Sequence, residues 1–306
     1  MNPLLSIIMP SYNGEKFIAA ALESIREQYR DRIELVIVDD GSTDRTLEIV
    51  RNFADVLPIR LITPGRIGNW VAVTNIGLRE AKGEWACLLH QDDLWLPGRM
   101  ARLWREMEAS ESALILHNAL FIGPDGEKLG RWTCPLSEGV VQPDQFMERL
   151  LIQNFIAIPS PVFRRKAVLE TGGLDEALWF SADWDLWLRL GALGPVRFIA
   201  ETLSAFRVHP ASQTAARKLM PNEWEEQLFI VLNRHMNNWN CTGKLRSSVE
   251  RVARASIAVN SALSAASRGQ SIQALKVLFK LLALGPDGWR RYLRDSRIVQ
   301  RVGARL

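Results

Sequence analysis

The chain has 306 residues, of which 47% are hydrophobic and 24% charged, and its formal net charge is +4. This composition is typical of a globular protein with one large domain or two ordinary ones, and it excludes an intrinsically disordered chain. The sequence contains no run of eighteen or more apolar residues, so we expect no membrane-spanning helix.

The three cysteines, Cys87, Cys134 and Cys241, are far apart and odd in number. They indicate neither a disulfide framework nor a paired-cysteine metal site. The first residues lack the basic and apolar regions of a signal peptide. We therefore expect a reducing, cytoplasmic location.

Positive charge is concentrated at the carboxyl end of the sequence. Residues 271–306 contain eight basic and two acidic side chains, a local charge of +6, so the first 270 residues carry −2. A basic tail on an acidic body argues against a general nucleic-acid-binding surface. We expect no nucleic-acid partner.

Strands and helices alternate in the first third of the chain. The apolar patterns predict strands at residues 4–9, 33–38, 59–63 and 84–89, and helices at 17–30, 46–53, 70–82 and 99–110. This alternation predicts an α/β fold with a doubly wound, mostly parallel sheet flanked by helices.

The alternation is lost after residue 110. The patterns then predict a hairpin at 114–122 and 129–132, a helix at 142–153, an interrupted extended segment at 156–164, a helix at 182–193, and short strands at 196–200 and 203–208. Three helices, at 222–236, 248–267 and 271–284, form a helical appendage.

Two pairs of carboxylates follow predicted strands. Asp39 and Asp40 end one strand, and Asp92 and Asp93 follow another. Each pair alone has an ordinary explanation, as a surface turn or as a cap of the next helix. Because the carboxyl ends of parallel strands form one crevice, the two pairs together favour a site for a nucleoside diphosphate, with partners for base and ribose and a cation for the diphosphate. Oxygen ligands favour Mg²⁺ or Mn²⁺.

Four ordered segments carry a resemblance to a known family. They are SIIMPSYN at residues 6–13, VIVDDGSTD at 36–44, NIGL at 75–78 with AKGE at 81–84, and HQDD at 90–93. Together they strongly resemble the family two glycosyltransferases over roughly residues 4–210. The resemblance implies a GT-A type, Rossmann-like catalytic domain at 1–211, with a nucleotide-sugar half at about 1–110 and an acceptor half at about 111–211. Residues 212–306 would form the helical C-terminal region.

The resemblance also implies a nucleotide-sugar donor, a divalent metal, and transfer with inversion. Pro10, Tyr12, Asp39 and Asp40 would bind the nucleoside, with Asp40 accepting a hydrogen bond from the base. Asp92 and Asp93 match the family's DxD-type segment and would hold ribose, diphosphate and Mg²⁺ or Mn²⁺. The family often has an aspartate where this chain has His90, a further polar contact or a packed residue.

Two later segments match in the same way. SADWDLW at residues 181–187 is similar to the family's Glu-Asp-x-Asp segment, which assigns the catalytic base to Asp183. Ala182 replaces the usual glutamate, and without that neighbouring carboxylate we expect Asp183 to be a weaker base. The alternative is that the acidic residues only favour the helix dipole. AFRVHP at 205–210 resembles the Tyr-Arg-x-His stretch, which places Arg207 on the donor and His209 among the metal ligands.

The basic tail has two interpretations. Leucine-rich residues 272–284 and the arginines beyond Arg290 could lie on an anionic membrane surface, which would make the protein peripheral on the inner face of the membrane. The same residues could instead pack on the catalytic domain.

The favoured hypothesis is a non-processive inverting hexosyltransferase that uses a UDP- or dTDP-linked donor and a glycan or lipid-linked acceptor in surface polysaccharide or glycoconjugate synthesis. The alternative is a catalytically degenerate nucleotide-sugar-binding or scaffolding protein, because His90 and Ala182 replace expected acids. A nucleotidyltransferase is disfavoured, because no glycine-rich, basic loop follows the first strand.

Overall fold

The computed structural model describes residues 3–210, 212, 221–266 and 281–303. In these ranges the strands are β1 Leu5–Ser11, β2 Ile33–Asp39, β3 Ile59–Ile62, β4 Trp85–Leu88, β5 Leu94–Trp95, β6 Leu114–Ile122, β7 Lys128–Trp132, β8 Gly139–Val141, β9 Val162–Arg164 and β10 Val196–Arg207. The helices are α1 Ile18–Arg26, α2 Thr46–Phe53, α3 Trp70–Glu80, α4 Arg99–Ala109, α5 Pro143–Leu150, α6 Arg165–Glu170, α7 Ala182–Leu193, α8 Pro221–Asn238, α9 Gly243–Ala266, α10 Gly285–Ser296 and α11 Ile298–Gly303.

The strands form one sheet with the order β3-β2-β1-β4-β9-β6-β10-β5, and β7 and β8 pair with β6 and β10. The longer ladders, β1 with β2 and β6 with β10, are parallel. The short strand β9 runs antiparallel between β4 and β6. Since β2 and β4 lie on opposite sides of β1, the connections that leave the carboxyl ends of β1 and β4 diverge and open a crevice there.

Side chains of the central strands alternate between two apolar cores because successive residues of a strand face opposite sides. On β1, Ile8 joins the core that also contains side chains of α3, α5 and α7, whereas Ile7 and Met9 join the core that contains side chains of α1 and α4. On β2, Val38 and Ile37 divide in the same way. Helices therefore cover both faces of the sheet, as the unbroken apolar character of these strands predicts.

The C-terminal helices contribute to the first of these cores. Leu228 and Val231 of α8 and Val252 of α9 belong to the same apolar cluster as Trp187 of α7. This burial explains why the helices stay with the sheet. The domain boundary expected at residue 211 stays a prediction.

The described part of the basic tail packs on the domain. Arg291 pairs with Glu148 of α5, and the fully buried Asp295 accepts hydrogen bonds from Arg294 at 2.7 Å and Arg149 at 3.4 Å. Most of the helix expected at residues 271–284 lies outside the described residues. Within the described ranges, none of the helices combines the length and the apolar character needed to cross a bilayer.

The two short strands expected at 196–200 and 203–208 are in fact one strand, β10, so this prediction was wrong. The register of β10 against β6 shifts between Ile199 and Thr202 and again before Ser204. The side chain of Asn118 donates to the carbonyl of Ala200 at 2.6 Å, which satisfies a backbone group that the ladder leaves free. The short elements β5, β8 and α6 were not predicted.

The close packing of α3 on β1 and β2 depends on Gly77. A Cβ atom at this position would lie 2.5 Å from Cγ2 of Ile8 and 3.3 Å from Cγ2 of Val38. Gly77→Ala would ordinarily stabilise a helix interior by about 1 kcal/mol, but here we expect a net loss of about 1–3 kcal/mol from overpacking. Urea unfolding measures the change.

Gly194→Ala is the matched control, since a Cβ atom at Gly194 meets nothing within 4 Å. We expect its free energy of unfolding to stay close to that of the wild type. A Gly77→Ala variant as stable as the wild type would contradict the proposed close approach.

Candidate active site

The loops that follow β1, β2 and β4 are hydrogen-bonded to one another. The side-chain oxygen of Gln91 accepts from the backbone N–H of Tyr12 at 2.9 Å, and its amide nitrogen donates to the carbonyl of Tyr12 at 3.0 Å. Asn13 donates through its backbone to Oγ of Ser42 at 2.9 Å and accepts from the backbone N–H of Thr43 at 2.8 Å. These contacts fix the three loops as one rim of the crevice.

Asp40 and Tyr12 lie together at this rim. The carboxylate of Asp40, only 4% exposed, accepts from the backbone N–H groups of Ile67 and Gly68 and pairs with the guanidinium of Arg66. That guanidinium lies over the Tyr12 ring, 3.7 Å from its centroid. An aromatic face, a carboxylate and a guanidinium at one place are suited to a flat heterocycle that carries an N–H donor.

The remaining residues expected on the nucleoside have structural partners. Asp39 is 1% exposed, and its carboxylate accepts from the backbone N–H of Ser42 at 2.8 Å, so it shapes the loop after β2. Pro10 is buried within β1. Asp44, which precedes the N-cap residue Arg45, accepts from the backbone N–H of Thr46 at the start of α2 at 3.0 Å, whereas Asp40 makes no such contact with the helix among its described hydrogen bonds.

His90, Asp92 and Asp93 form a compact group of potential metal ligands. One ligand atom from each lies within 4.8 Å of the others, and no second group of this kind occurs among the described residues. Asp93 is 1% exposed, and its Oδ2 and the Nε2 of His90 have no hydrogen-bond partner in the described chain. Burial, and secondly the charge of Asp92, raise the pKa of Asp93 well above its usual range.

This donor set fits a divalent cation. Unpartnered buried oxygen and nitrogen atoms that point into one space are unfavourable unless a ligand satisfies them. Burial also lowers the pKa of His90, which keeps its ring neutral and able to coordinate. Two carboxylates and one imidazole suit Mn²⁺, and the carboxylates suit Mg²⁺. His90, one of whose two interpretations was a packed residue, therefore belongs to the group.

Arg207 forms hydrogen bonds to both residues of the carboxylate pair. Its backbone N–H donates to Asp93 at 2.9 Å, and its guanidinium donates to the carbonyls of Asp92, Gly123 and Pro124 at 2.8–3.0 Å. The side chain is 4% exposed. The expected contact of Arg207 with the donor stays a prediction; in this structure its Nε and Nη1 groups donate to these carbonyls.

His209 lies next to the group but outside it. Its Nε2 is 3.0 Å from Oδ2 of Asp92, and its ring packs on that of Phe17 at a centroid distance of 4.5 Å. The role of His209 as a direct metal ligand stays a prediction; in this structure its contact orients Asp92.

Asp183 begins the first turn of α7. Its Oδ1 accepts from the backbone N–H of Trp184 at 2.8 Å, and its Oδ2 accepts from the side chain of Asn154 at 2.9 Å. Burial raises the pKa of Asp183 to about 6, in spite of these hydrogen bonds. The expectation of a weaker base beside Ala182 was wrong, because burial has the effect that a neighbouring carboxylate would have had.

Two sets of contacts connect Asp183 to the strand that precedes the acidic group. Because β9 is antiparallel to β4, the segment that contains Asn154 approaches the carboxyl end of β4. Trp70 contacts the ring of His90 at a centroid distance of 5.3 Å and donates to the carbonyl of Trp179 at 2.8 Å. The start of α7 is therefore linked to His90 through one tryptophan.

Sequence reasoning missed three residues of this site. Gln91 lies inside the recognised HQDD segment, but its role as a clamp on Tyr12 depends on contacts between loops. Arg66 lies between Gly65 and Gly68, whose φ angles of +89° and +78° mark a tight loop. Asn154 has no local pattern that could have identified it.

Comparisons with known proteins show the family to which the chain belongs. A sequence model described as glycosyl transferase family 2 matches residues 6–172, more than half of the chain. The chain belongs to this family, and the predicted family is confirmed. An uncharacterized glycosyltransferase of Rickettsia typhi is 28% identical over 240 residues, 73% of this chain and 70% of its own length. An uncharacterized protein of Mycobacterium tuberculosis is 30% identical over 216 residues, 67% of this chain and 59% of its own.

Solved structures confirm the GT-A type fold. S. aureus TarS 1-349 in complex with UDP-GlcNAc has a TM-score of 0.71 at 16% identity, over 98% of this chain and 91% of that chain. The mannosyltransferase PcManGT from Pyrobaculum calidifontis, in complex with GDP-Man and Mn²⁺, has a TM-score of 0.54 at 19% identity, over 100% of this chain and 86% of that chain.

The raised pKa of Asp183 predicts a pH-dependent effect of Asp183→Asn on stability. A carboxyl group whose pKa rises from 3.8 to about 6 on folding loses stabilisation as the pH increases through that window. Relative to the wild type, the free energy of unfolding of Asp183→Asn should increase by on the order of 2 kcal/mol between pH 4 and pH 7. Above pH 7 the difference should stay constant. Urea unfolding at several pH values measures this difference.

The exposed Asp55 provides the control, and the effect of Asp55→Asn should not change over the same pH range. A constant difference between Asp183→Asn and the wild type from pH 4 to pH 7 would show that the pKa of Asp183 is not raised.

Proposed function

We propose that this member of family 2 transfers a sugar from a nucleotide-sugar to an acceptor hydroxyl with inversion, as a non-processive enzyme of surface polysaccharide or glycoconjugate synthesis. The observation that carries the proposal is Asp183. This carboxylate has a pKa of about 6 and is held by two hydrogen-bond donors. One of the donors, Asn154, belongs to the segment that leads to β9, which pairs with β4, the strand before the Asp92 and Asp93 group that fits a cation.

The donor is proposed to bind with its base on Tyr12 and Asp40. Asp40 accepts from Ile67, Gly68 and Arg66, so it retains room for a single N–H of a base. Uracil and thymine present one such N–H, whereas guanine presents an N–H beside an amino group. A UDP- or dTDP-linked donor is therefore favoured over a GDP-linked one, and TarS, whose structure was solved with UDP-GlcNAc, offers a precedent.

A divalent metal, Mg²⁺ or Mn²⁺, would be held by Asp92, Asp93 and His90, with His209 orienting Asp92. When bound, such an ion neutralises the charge of a departing diphosphate. The neighbour PcManGT was solved with Mn²⁺.

Asp183 would act as the base in a single displacement. Its carboxylate accepts the proton of the acceptor hydroxyl while the oxygen bonds to the anomeric carbon and the bond from that carbon to the diphosphate oxygen breaks. Attack opposite the leaving group inverts the configuration. A pKa of about 6 leaves the group mostly ionised at neutral pH and close to the value at which a general base is most effective. Asn154 and the backbone of Trp184 would fix its direction.

The acceptor is proposed to be a glycan or a lipid-linked sugar on the cytoplasmic side of a membrane. Arg290, Leu293 and Val299 of the tail are exposed and could meet an anionic lipid surface. The pairing of Arg291 and Arg294 with acidic residues reduces the charge available for that contact.

Thermal unfolding with nucleotides tests the donor site. We expect UDP or dTDP with Mn²⁺ to stabilise the wild type by about 2.7 kcal/mol at one hundred times the dissociation constant, which corresponds to several degrees, and GDP to have less effect. Asp93→Ala should abolish the metal-dependent part of the shift. Asp55→Ala, an exposed carboxylate, is the control and should leave the shift unchanged.

If no nucleotide shifts the transition of the wild type, the donor site is wrongly assigned. If a nucleotide binds but no sugar is transferred from its sugar ester, the degenerate binding protein becomes the better description.

Asp183→Asn tests the base. We expect turnover to fall by a factor of about 10²–10⁴, because the amide can no longer accept a proton. The nucleotide-induced thermal shift should stay as in the wild type. For the wild type, kcat should decrease about tenfold per pH unit below about pH 6, where Asp183 becomes protonated. Release of nucleoside diphosphate from the sugar donor measures both. Normal turnover in Asp183→Asn would refute the assignment.

A further inference from the structure

Asp185 is a second carboxylate in the first turn of α7, and its environment differs from that of Asp183. It is fully buried and accepts from Nε of Arg189 at 2.8 Å, from Arg234 at 2.8 Å and from Nε2 of His235 at 2.9 Å. Burial alone would raise the pKa of Asp185, but the hydrogen bond from His235 and the two guanidinium groups hold it at about 2. Arg234 and His235 belong to α8, so Asp185 ties the start of α7 to the C-terminal helices.

A second buried polar cluster lies beside Asn154, the residue that donates to Asp183. The side-chain oxygen of Gln153 accepts from Oγ of Ser256 at 3.0 Å and from the side chain of Asn260 at 2.7 Å, both on α9. Gln153, Ser256 and Asn260 are 8%, 1% and 6% exposed. The carbonyl oxygen of the Asn260 side chain accepts in turn from Arg301 of α11 at 3.1 Å.

Both clusters lie close in sequence to the residues that fix Asp183. Asp185 follows Asp183 by two residues, and Gln153 precedes Asn154, which donates to Asp183. A buried hydrogen-bonded group has few alternative arrangements, because breaking one contact leaves a polar atom unsatisfied. Displacement of a reacting group by about 1 Å can lower a rate by about a hundredfold. The direction of the Asp183 carboxylate therefore depends on the placement of α8 and α9.

We propose that the C-terminal helices position the base: Arg234 and His235 act through Asp185, and Ser256 and Asn260 act through Gln153 and Asn154. This inference rests on the proposed function, in which Asp183 is the base. It assigns a catalytic purpose to residues that lie outside the part of the chain matched by the family model, residues 6–172. These four side chains are positioning residues, since none of them contacts Asp183 among the described hydrogen bonds.

The test compares full-length variants in the donor turnover assay. His235→Phe and Asn260→Leu each remove one anchor, and we expect kcat to fall about tenfold or more with unchanged donor KM and an unchanged nucleotide-induced thermal shift. His235→Gln places an amide N–H close to the position of Nε2 and should restore most of kcat. Arg251→Ala, which removes an exposed side chain of α9, is the control and should leave kcat unchanged.

Amide hydrogen exchange gives a readout that does not need turnover. The N–H of Trp184 donates to Asp183, so loss of an anchor should accelerate its exchange at least threefold, while exchange in β1 and β2 stays unchanged. Where His235→Phe or Asn260→Leu fails to fold, Ser256→Ala, which removes a single hydrogen bond to Gln153, is used instead, with a smaller effect in the same direction expected.

The outcomes separate the two proposals. If Asp183→Asn is inactive while the anchor variants keep wild-type kcat and Trp184 exchange, the positioning role is refuted and the base assignment stands. If Asp183→Asn turns over normally, or if no nucleotide shifts the unfolding of the wild type, the proposed function is refuted. The exchange of the Trp184 N–H alone then decides whether the helices hold the start of α7. A fall in kcat that Arg251→Ala reproduces would also refute the specific role of the two clusters.

Discussion

Two adjacent carboxylates, Asp92 and Asp93, lie at the end of a buried strand, and the surrounding structure must stabilise their negative charge. Asp93 is almost fully buried beside Asp92, and an unpaired charge in such a place is unfavourable by several kcal/mol. The protein contributes a backbone N–H from Arg207 to Asp93 and a histidine contact to Asp92, but it leaves Oδ2 of Asp93 without a partner in the described chain. The carboxylates are thus arranged to be completed by a positive ligand.

The path of β10 follows from this constraint. Ile199 of β10 pairs with His117 of β6, 82 residues earlier in the chain, whereas Arg207 pairs with Ile122, 85 residues earlier. The irregular stretch between them therefore inserts three residues into β10. Without that insertion Ser204 would lie opposite Ile122, and Arg207 would pass beyond the end of β6. Asn118 makes the irregularity tolerable by satisfying the carbonyl of Ala200. A local defect in one strand therefore delivers Arg207 and His209 to the carboxylate pair at the end of β4.

The parts of the structure that local patterns encode could be predicted from the sequence. The alternation of strands and helices through α4, the hairpin of β6 and β7, and helix α7 follow from periodicity and turn residues. The carboxylate pairs were predicted to meet because topology brings strand ends together. The prediction that failed depends on contacts between distant segments, because the pattern of β10 predicts two strands unless Asn118 is known to bridge the irregularity. The contact of Arg207 with the donor stays a prediction, and such a role also depends on distant segments, since its guanidinium donates to the carbonyls of Gly123 and Pro124.

Asp183 and Asp185 show why residue type alone did not settle the chemistry. Both are aspartates in one helical turn. Burial raises the pKa of Asp183 to about 6 because its hydrogen-bond donors are neutral and offset burial only in part, whereas cationic partners hold the pKa of Asp185 at about 2. Environments that separate two such pKa values assign different tasks to the two groups, one able to take up a proton near neutral pH and one permanently charged. Of the partners that keep Asp185 ionised, Arg189 belongs to α7, and Arg234 and His235 belong to α8. The helices beyond the sheet therefore help to decide which carboxylate can act as a base. The missing glutamate at Ala182 then requires no replacement, because burial already adjusts Asp183.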